Sequence, residues 1–395
     1  MKPLPPSKSR NSWVTSSDWL DWPFLEERHR HLHARICDWC GDNIGEHHSE
    51  EVDAECRNLV ASLGSAGILK LCVADGGELP DVRSLALTRA LLASCSGLAD
   101  FAFAMQGLGS GAISLFGNAE QKDDWLPKVA SGEAIAAYAL TEPDTGSDAA
   151  NIAMSAKRDG DQWVLAGDKS YISNGTIADV LTVFARTGSA EDGARGISAF
   201  IVRGDDPGLS VAERIEVIAP HPLARLKFGG VRAELLGSEG EGFKIAMQTL
   251  NLFRVTVGAA AVGFATRALQ EAIRFATTRK LGSGTLADNA VTQEKLAEMA
   301  LAIDASALLV ARAAWQQDMG KADNRRAAAM AKLHATDEAQ KVIDMAVQMH
   351  GGLGVTKGAK VEELYREIRA LRIYEGASEV QKMIIARDLL KEHRQ

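Results

Sequence analysis

The sequence predicts an α+β chain in three parts: an N-terminal helical domain, a middle antiparallel β domain and a C-terminal four-helix bundle. Three observations carry this. Residues 17–132 place apolar side chains at helical spacing, as in "EVDAECRNLVASLGSAGI" and "VRSLALTRALLASCSGLADFAFAM". Residues 133–239 switch to short runs of β-formers, "QWVLAG", "DVLTVFART" and "GISAFIVRG", separated by Gly, Asp and Pro. Residues 240–395 return to the helical period in four long segments, 243–280, 290–319, 323–350 and 359–373.

Residues 1–16, with three prolines and several serines, read as a flexible arm ahead of the first helices. Within the β part, "VLTVFA" and "ISAFIV" are apolar on successive positions, as strands buried on both faces are. In the last part, the breaks "GSGTLAD" and "GGLGVTKG" are short enough to join antiparallel neighbours, and "ARAAWQQ" presents small residues for close helix packing.

A length of 395 residues exceeds what one hydrophobic core organises, and 46% hydrophobic residues suffice for several. A net charge of −8 disfavours nucleic acid and anionic membrane surfaces, which reward basic patches. No stretch approaches the roughly 20 apolar residues of a membrane span, and "MKPLPPSKSRNSW" lacks a signal-peptide core, so a cytoplasmic location is expected. Five cysteines, an odd number, fit a reducing compartment. His29, His31, His33, Cys37, Cys40, His47 and His48 crowd "HRHLHARICDWCGDNIGEHH", but their spacing matches no zinc template, so no metal is expected. "GLGSG" at 107–111 lies outside any βαβ unit and is no dinucleotide fingerprint.

Four stretches combine residues that chemistry can use. In "RIYEGASEVQ", Glu375 falls on a connector ahead of a helix opened by a capping box, Ser378 as N-cap and Gln381 three residues on. A solvated loop acid fits these residues; so does a general base whose pKa rises among Tyr, Ile and Gly. In "YALTEPDTGSDAAN", a strand ends in a loop rich in hydroxyls and backbone donors, suited to the polar edge of a planar cofactor or to an ordinary turn. "GDKSYISNG" sets Tyr171 two residues before Ser173, which in a strand puts ring and hydroxyl on one face. "VQMHGGLGV" ends a helix with a glycine pair, the ordinary C-cap signal.

Together these stretches, in this order, resemble the acyl-CoA dehydrogenase family of flavoproteins over nearly the whole chain from about residue 60. The resemblance implies FAD as cofactor, its ring between the β domain and the C-terminal helices. It implies cofactor contacts by Tyr138, Thr141, Gly146, Tyr171, Ser173, Ala377 and Glu379, with Tyr171 where the family usually has Trp and Ser173 where it usually has Thr. Arg279, Gln348, Gly351 and Gly352 match positions that hold the flavin of a neighbouring subunit, which implies a homo-oligomer, a tetramer ahead of a dimer. Ser147, Asn251, Arg254 and Gly376 match substrate positions, with Ser147 at the CoA arm, and Glu375 matches the catalytic base. The implied partners are an acyl-CoA and an electron-transferring flavoprotein.

The chain departs from the family pattern in three places. Leu281 in "RKLGSG" stands near an expected Phe, "FGGVRAELLG" lacks a few residues and the usual "VP", and Phe253 occupies the spot of an alternative catalytic Glu. The leading expectation is α,β-dehydrogenation of an acyl-CoA. A flavin oxidase, hydroxylase or lyase on an unusual thioester, and a helical scaffold without cofactor, are the alternatives.

Overall fold

A computed structural model describes residues 19–45, 51–75, 77–320 and 324–394. The expected arm 1–16, together with His47 and His48, lies outside these residues. The chain forms two compact units. One comprises Met1–Ile44, Val82–Asp100 and Arg254–Gln395; the other comprises Gly45–Asp81 and Phe101–Phe253.

The first unit is helical. It contains α1 (Glu27–Asn43), α3 (Val82–Cys95), α7 (Ala290–Asp318), α8 (Arg325–His350), α9 (Lys360–Leu371) and α10 (Ser378–His393). It also holds the start of α4 (Gly97–Phe116) and most of α6 (Gly242–Thr278). Helix α8 is central, packing on α7, α9 and α10 through Ala328, Ala331, Ala335, Ala339, Val342 and Ala346, all buried. Small residues let backbones approach: a Cβ on Gly263 of α6 would lie 2.1 Å from the Ala90 carbonyl oxygen of α3. The four expected long helical segments correspond to α6, α7, α8 and α9. Contrary to the sequence expectation, α6 is long and apolar enough to cross a membrane by length and composition; its apolar window is 94% buried, as in a core helix.

The second unit holds α2 (Val52–Ser65), α5 (Ala119–Ser131) and a sheet of β1 (Ala136–Ala139), β2 (Ser155–Asp159), β3 (Gln162–Ser173), β4 (Val180–Arg186), β5 (Ile197–Arg203), β6 (Leu209–Arg214) and β7 (Leu223–Leu236). Among the described residues the seven strands run β1-β4-β2-β3-β7-β5, with β6 on β7 and β4 also on β5. Pairing is antiparallel for β2–β3, β3–β7, β4–β5, β5–β7 and β6–β7. It is parallel for β1–β4 and at one β2–β4 position, so the sheet is mixed rather than purely antiparallel. The parallel pair needs a long crossover, and the chain from 140 to 179 supplies it. Every residue of β4 from Val180 to Ala185 is buried, as its unbroken apolar run requires. Its Val183 forms the core of this unit together with Leu165, Phe200, Leu226 and Val231.

Two sequence readings take a different form. Helix α10 opens at Ser378 with Ala377 as its cap residue and no side-chain cap bond. The Ser378 hydroxyl donates to Asp337 Oδ1 (3.1 Å) and Gln381 Nε2 to the Gly376 carbonyl (2.9 Å), so the capping box is replaced by tertiary bonds. On β3, a bulge between Lys169 and Ile172 and φ +56 at Tyr171 interrupt the pleat, so the two-residue spacing of Tyr171 and Ser173 does not act as strand alternation there.

Candidate active site

Glu375 lies on the connector between α9 and α10. Its φ of +51, followed by φ +91 at Gly376, puts two successive residues in the left-handed region, which costs energy for a non-glycine residue. Contacts from α8 hold the connector in this shape. Asp337 accepts from Arg372 Nε (2.7 Å) and from the Ser378 hydroxyl, while Lys332 Nζ donates to the Gly376 carbonyl (2.8 Å). Gln381 adds a second donor to that carbonyl.

Glu375 Oε2 is shut off from solvent and has no hydrogen-bond partner among the described residues. Burial pushes the carboxyl above its usual range; Arg89, Lys332 and Arg254 pull it back, and Asp100 adds to the rise. Of the expected setting of Tyr, Ile and Gly, Ile373 is exposed, whereas the Tyr374 hydroxyl is buried among Arg89, Asp100 and Glu375, and burial pushes it up. Charged groups from α3, α4, α6 and α8 also face it. Arg89 and Asp100 form a buried pair through Nε–Oδ1 and Nη2–Oδ2, both 2.8 Å, with Arg89 Nη1 donating to Thr256 (3.0 Å). Lys332 is fully buried, and burial lowers its pKa to about 8. Spacing offers no hint of these partners, since they come from distant segments.

In the second unit, the loop after β1 closes as a tight turn: Glu142 and Thr145 exchange backbone bonds of 3.0 and 3.1 Å. The buried Glu142 carboxylate anchors it, accepting from the N–H groups of Ala153 (2.6 Å) and Met154 (2.9 Å) and from Lys169 Nζ (2.9 Å). Lys169 is fully buried and also donates to the Leu140 carbonyl. With the acid turned inward, Gly146 and Ser147 stand exposed, and nothing lies within 4 Å of a Cβ built on Gly146. The Ser170 N–H donates to the Thr141 carbonyl (2.9 Å), bringing this loop beside Tyr171. Tyr171 is 62% exposed and Ser173 half-buried. Tyr138 packs on Phe184 and donates its hydroxyl to the Ala246 carbonyl (3.2 Å).

Asn251 is half-buried on α6. Two residues on, the Phe253 ring sits over Gly107 and Gly111 of α4, where a Cβ would come within 2.7 and 2.6 Å of ring atoms. That close approach explains "GLGSG". Arg254, Ala377 and Glu379 belong to the first unit; Arg254 is buried near Glu375, Ala377 is half-buried and Glu379 exposed. Arg279, Gln348, Gly351 and Gly352 are exposed at the ends of α6 and α8, which the stacked Phe275 and His350 rings (4.4 Å) bring together. Gly351 is the C-cap of α8, as its motif indicated, with φ +58. Leu281 is exposed on a hairpin of β8 (Lys280–Leu281) and β9 (Gly284–Thr285).

Among the described residues no three His, Cys, Asp or Glu converge as a metal site. His29 Nδ1 accepts from the Glu26 N–H at the start of α1, and His33 packs on Trp19. None of the five cysteines forms a disulfide.

Three family models match the chain: acyl-CoA dehydrogenase N-terminal domain at 26–133, middle domain at 137–231 and C-terminal domain at 240–390. The chain is 35% identical to the 3-(aryl)acrylate reductase of Clostridium sporogenes over 93% of its own length and 100% of that protein. It is 41% identical to the mitochondrial short-chain specific acyl-CoA dehydrogenase of Bos taurus, covering 72% of this chain and 70% of the other. A solved glutaryl-CoA dehydrogenase from Mycobacterium smegmatis in complex with FADH2 superposes with a TM-score of 0.83 at 28% identity, over 93% of this chain and 95% of that one. The chain therefore belongs to the acyl-CoA dehydrogenase family, flavin-dependent oxidoreductases acting on CH–CH donors.

Proposed function

We propose that this chain dehydrogenates an acyl-CoA thioester between Cα and Cβ, with Glu375 as the base. The observation that carries the reading is the Glu375 carboxylate: buried at Oε2, without a hydrogen-bond partner there, and held on a fixed connector. Burial raises its pKa, which makes the ionised form a stronger base. Glu375 takes the Cα proton as the Cβ hydrogen departs with its electron pair, leaving a Cα–Cβ double bond. The Glu375 main-chain N–H donates to the thioester oxygen as enolate charge grows there.

FAD is the proposed cofactor and supplies the two-electron acceptor for the Cβ hydride when bound. The residues fit it. The exposed Tyr171 ring suits a planar ring system, and the open space at Gly146 admits close backbone approach. Tyr138, Ala377 and Glu379 complete the proposed cofactor contacts, and Ser147, Asn251, Arg254 and Gly376 the substrate contacts.

Arg279, Gln348, Gly351 and Gly352, exposed together, would serve the cofactor of a second copy in a homo-oligomer, a tetramer ahead of a dimer. Exposed Leu301 and Leu308 on α7 and Leu389 and Leu390 on α10 supply apolar surface for that assembly. Electrons pass onward to an electron-transferring flavoprotein, and the reaction is assigned to the cytoplasm.

Anaerobic mixing of the flavin-loaded protein with straight, branched and aromatic acyl-CoAs tests the reading. One class should bleach the visible flavin spectrum, and Glu375→Gln should abolish the bleaching while retaining the flavin. A second reading runs the same chemistry backwards, reducing an aryl-substituted acrylate; the full-length match to the Clostridium sporogenes reductase favours it. Reoxidation of pre-reduced flavin by a cinnamate-type substrate would identify that direction.

A further inference from the structure

Lys332 is a fully buried lysine on α8 that donates, among the described residues, to a main-chain carbonyl, that of Gly376, immediately after Glu375. Few buried lysines are spent on a single backbone oxygen, since removing an ammonium from water is expensive. The charges around it account for its place. Glu375, Arg254, Asp337 and Arg372 face Lys332, and Arg89, Lys332, Arg254, Asp100 and the Tyr374 hydroxyl face Glu375, from α3, α4, α6, α8 and the connector itself. Arg89 has its charge matched by Asp100, to which it is bound twice, whereas Lys332 has no carboxylate within ion-pair distance among the described residues.

We infer that Lys332 is a positioning residue for the reaction. By holding the Gly376 carbonyl it keeps Glu375 in its left-handed conformation, and by its charge it keeps the Glu375 carboxylate ionised. The inference rests on Glu375 being the base. Gln381 shares the first task, since it donates to the same carbonyl, but it is neutral and cannot share the second.

Rapid-mixing measurements of flavin bleaching across pH separate the two tasks, using flavin-loaded Lys332→Gln, Lys332→Met and Gln381→Leu. Both Lys332 variants should move the acidic limb of the rate profile to higher pH, because the base then ionises less readily. Gln381→Leu should lower the plateau by about tenfold or more with the limb unmoved, as misplacement of a catalytic group does. An unmoved limb in a folded, flavin-loaded Lys332 variant overturns the inference. If neither Lys332 variant folds, Lys332→Arg, which keeps the charge, should retain the wild-type limb; a shifted limb there overturns the inference. Wild-type bleaching by Glu375→Gln would instead overturn the base assignment, a distinct result.

Discussion

Arg89 grips Asp100 through two parallel bonds of 2.8 Å, and this buried pair adjoins the Glu375 carboxylate with opposite effects: Arg89 lowers its pKa and Asp100 raises it. Asp100→Asn leaves a buried guanidinium without its anion, a change that costs about 3–5 kcal/mol. A lower thermal midpoint is expected. Loss of the anion also lets Glu375 ionise more readily, so the acidic limb of flavin bleaching should move to lower pH. Thermal melts and the pH profile of the same variant check both.

Lys169 gives a pH dependence of stability. Burial lowers its pKa from 10.5 to about 8, so between those values the unfolded chain holds a proton that the native chain has lost. The sign follows: stability from this group rises with pH through that window and is lost as pH falls through about 8. Lys332 acts in the same sense. Denaturant midpoints at intervals from about pH 8 to 10 should show Lys169→Met gaining less stability with rising pH than the wild type.

The Phe253 ring on Gly111 predicts a coupled pair. Gly111→Ala forces a Cβ to 2.6 Å from the ring and should cost about 1–3 kcal/mol as an overpacked site. Phe253→Leu vacates that space. The double variant should be less destabilised than the two single losses added together, because the residues touch. A strictly additive result would mean that the ring does not occupy the glycine surface in solution.

Tyr171 is exposed and leaves no cavity when truncated, so Tyr171→Ala should change stability within about 0.5 kcal/mol. If the ring stacks on the flavin, FAD binding weakens by about 0.5–1.5 kcal/mol, the usual worth of an aromatic contact beyond area. Titration of the cofactor-free protein with FAD measures it.

The order of helical, β and helical segments was legible because each part carries one hydrophobic period over many residues. Buried strands such as Val180–Arg186 announced themselves as unbroken apolar runs. The connector of Glu375 was legible for the same reason, as a break between two periodic stretches. What surrounds Glu375 was not. Arg89, Asp100, Arg254 and Lys332 sit on four separate helices, and each on its own reads as a helix surface charge. Ser378 looked like a cap because local spacing shows its neighbours along the chain; Asp337, from another helix, takes its hydroxyl. Tyr171 looked like a strand residue because a bulge leaves no mark in a run of β-formers. "GLGSG" is no dinucleotide fingerprint, and spacing does not show that Phe253 rests on two of its glycines.

The most direct test of the central claim is the rate of anaerobic flavin bleaching by the best acyl-CoA in wild type and in Glu375→Gln, both fully flavin-loaded. The loss of a positioned base predicts a fall of at least about 10²–10⁴-fold in the variant with its flavin spectrum intact. Bleaching at the wild-type rate would contradict it, and the base would have to be sought elsewhere in the chain.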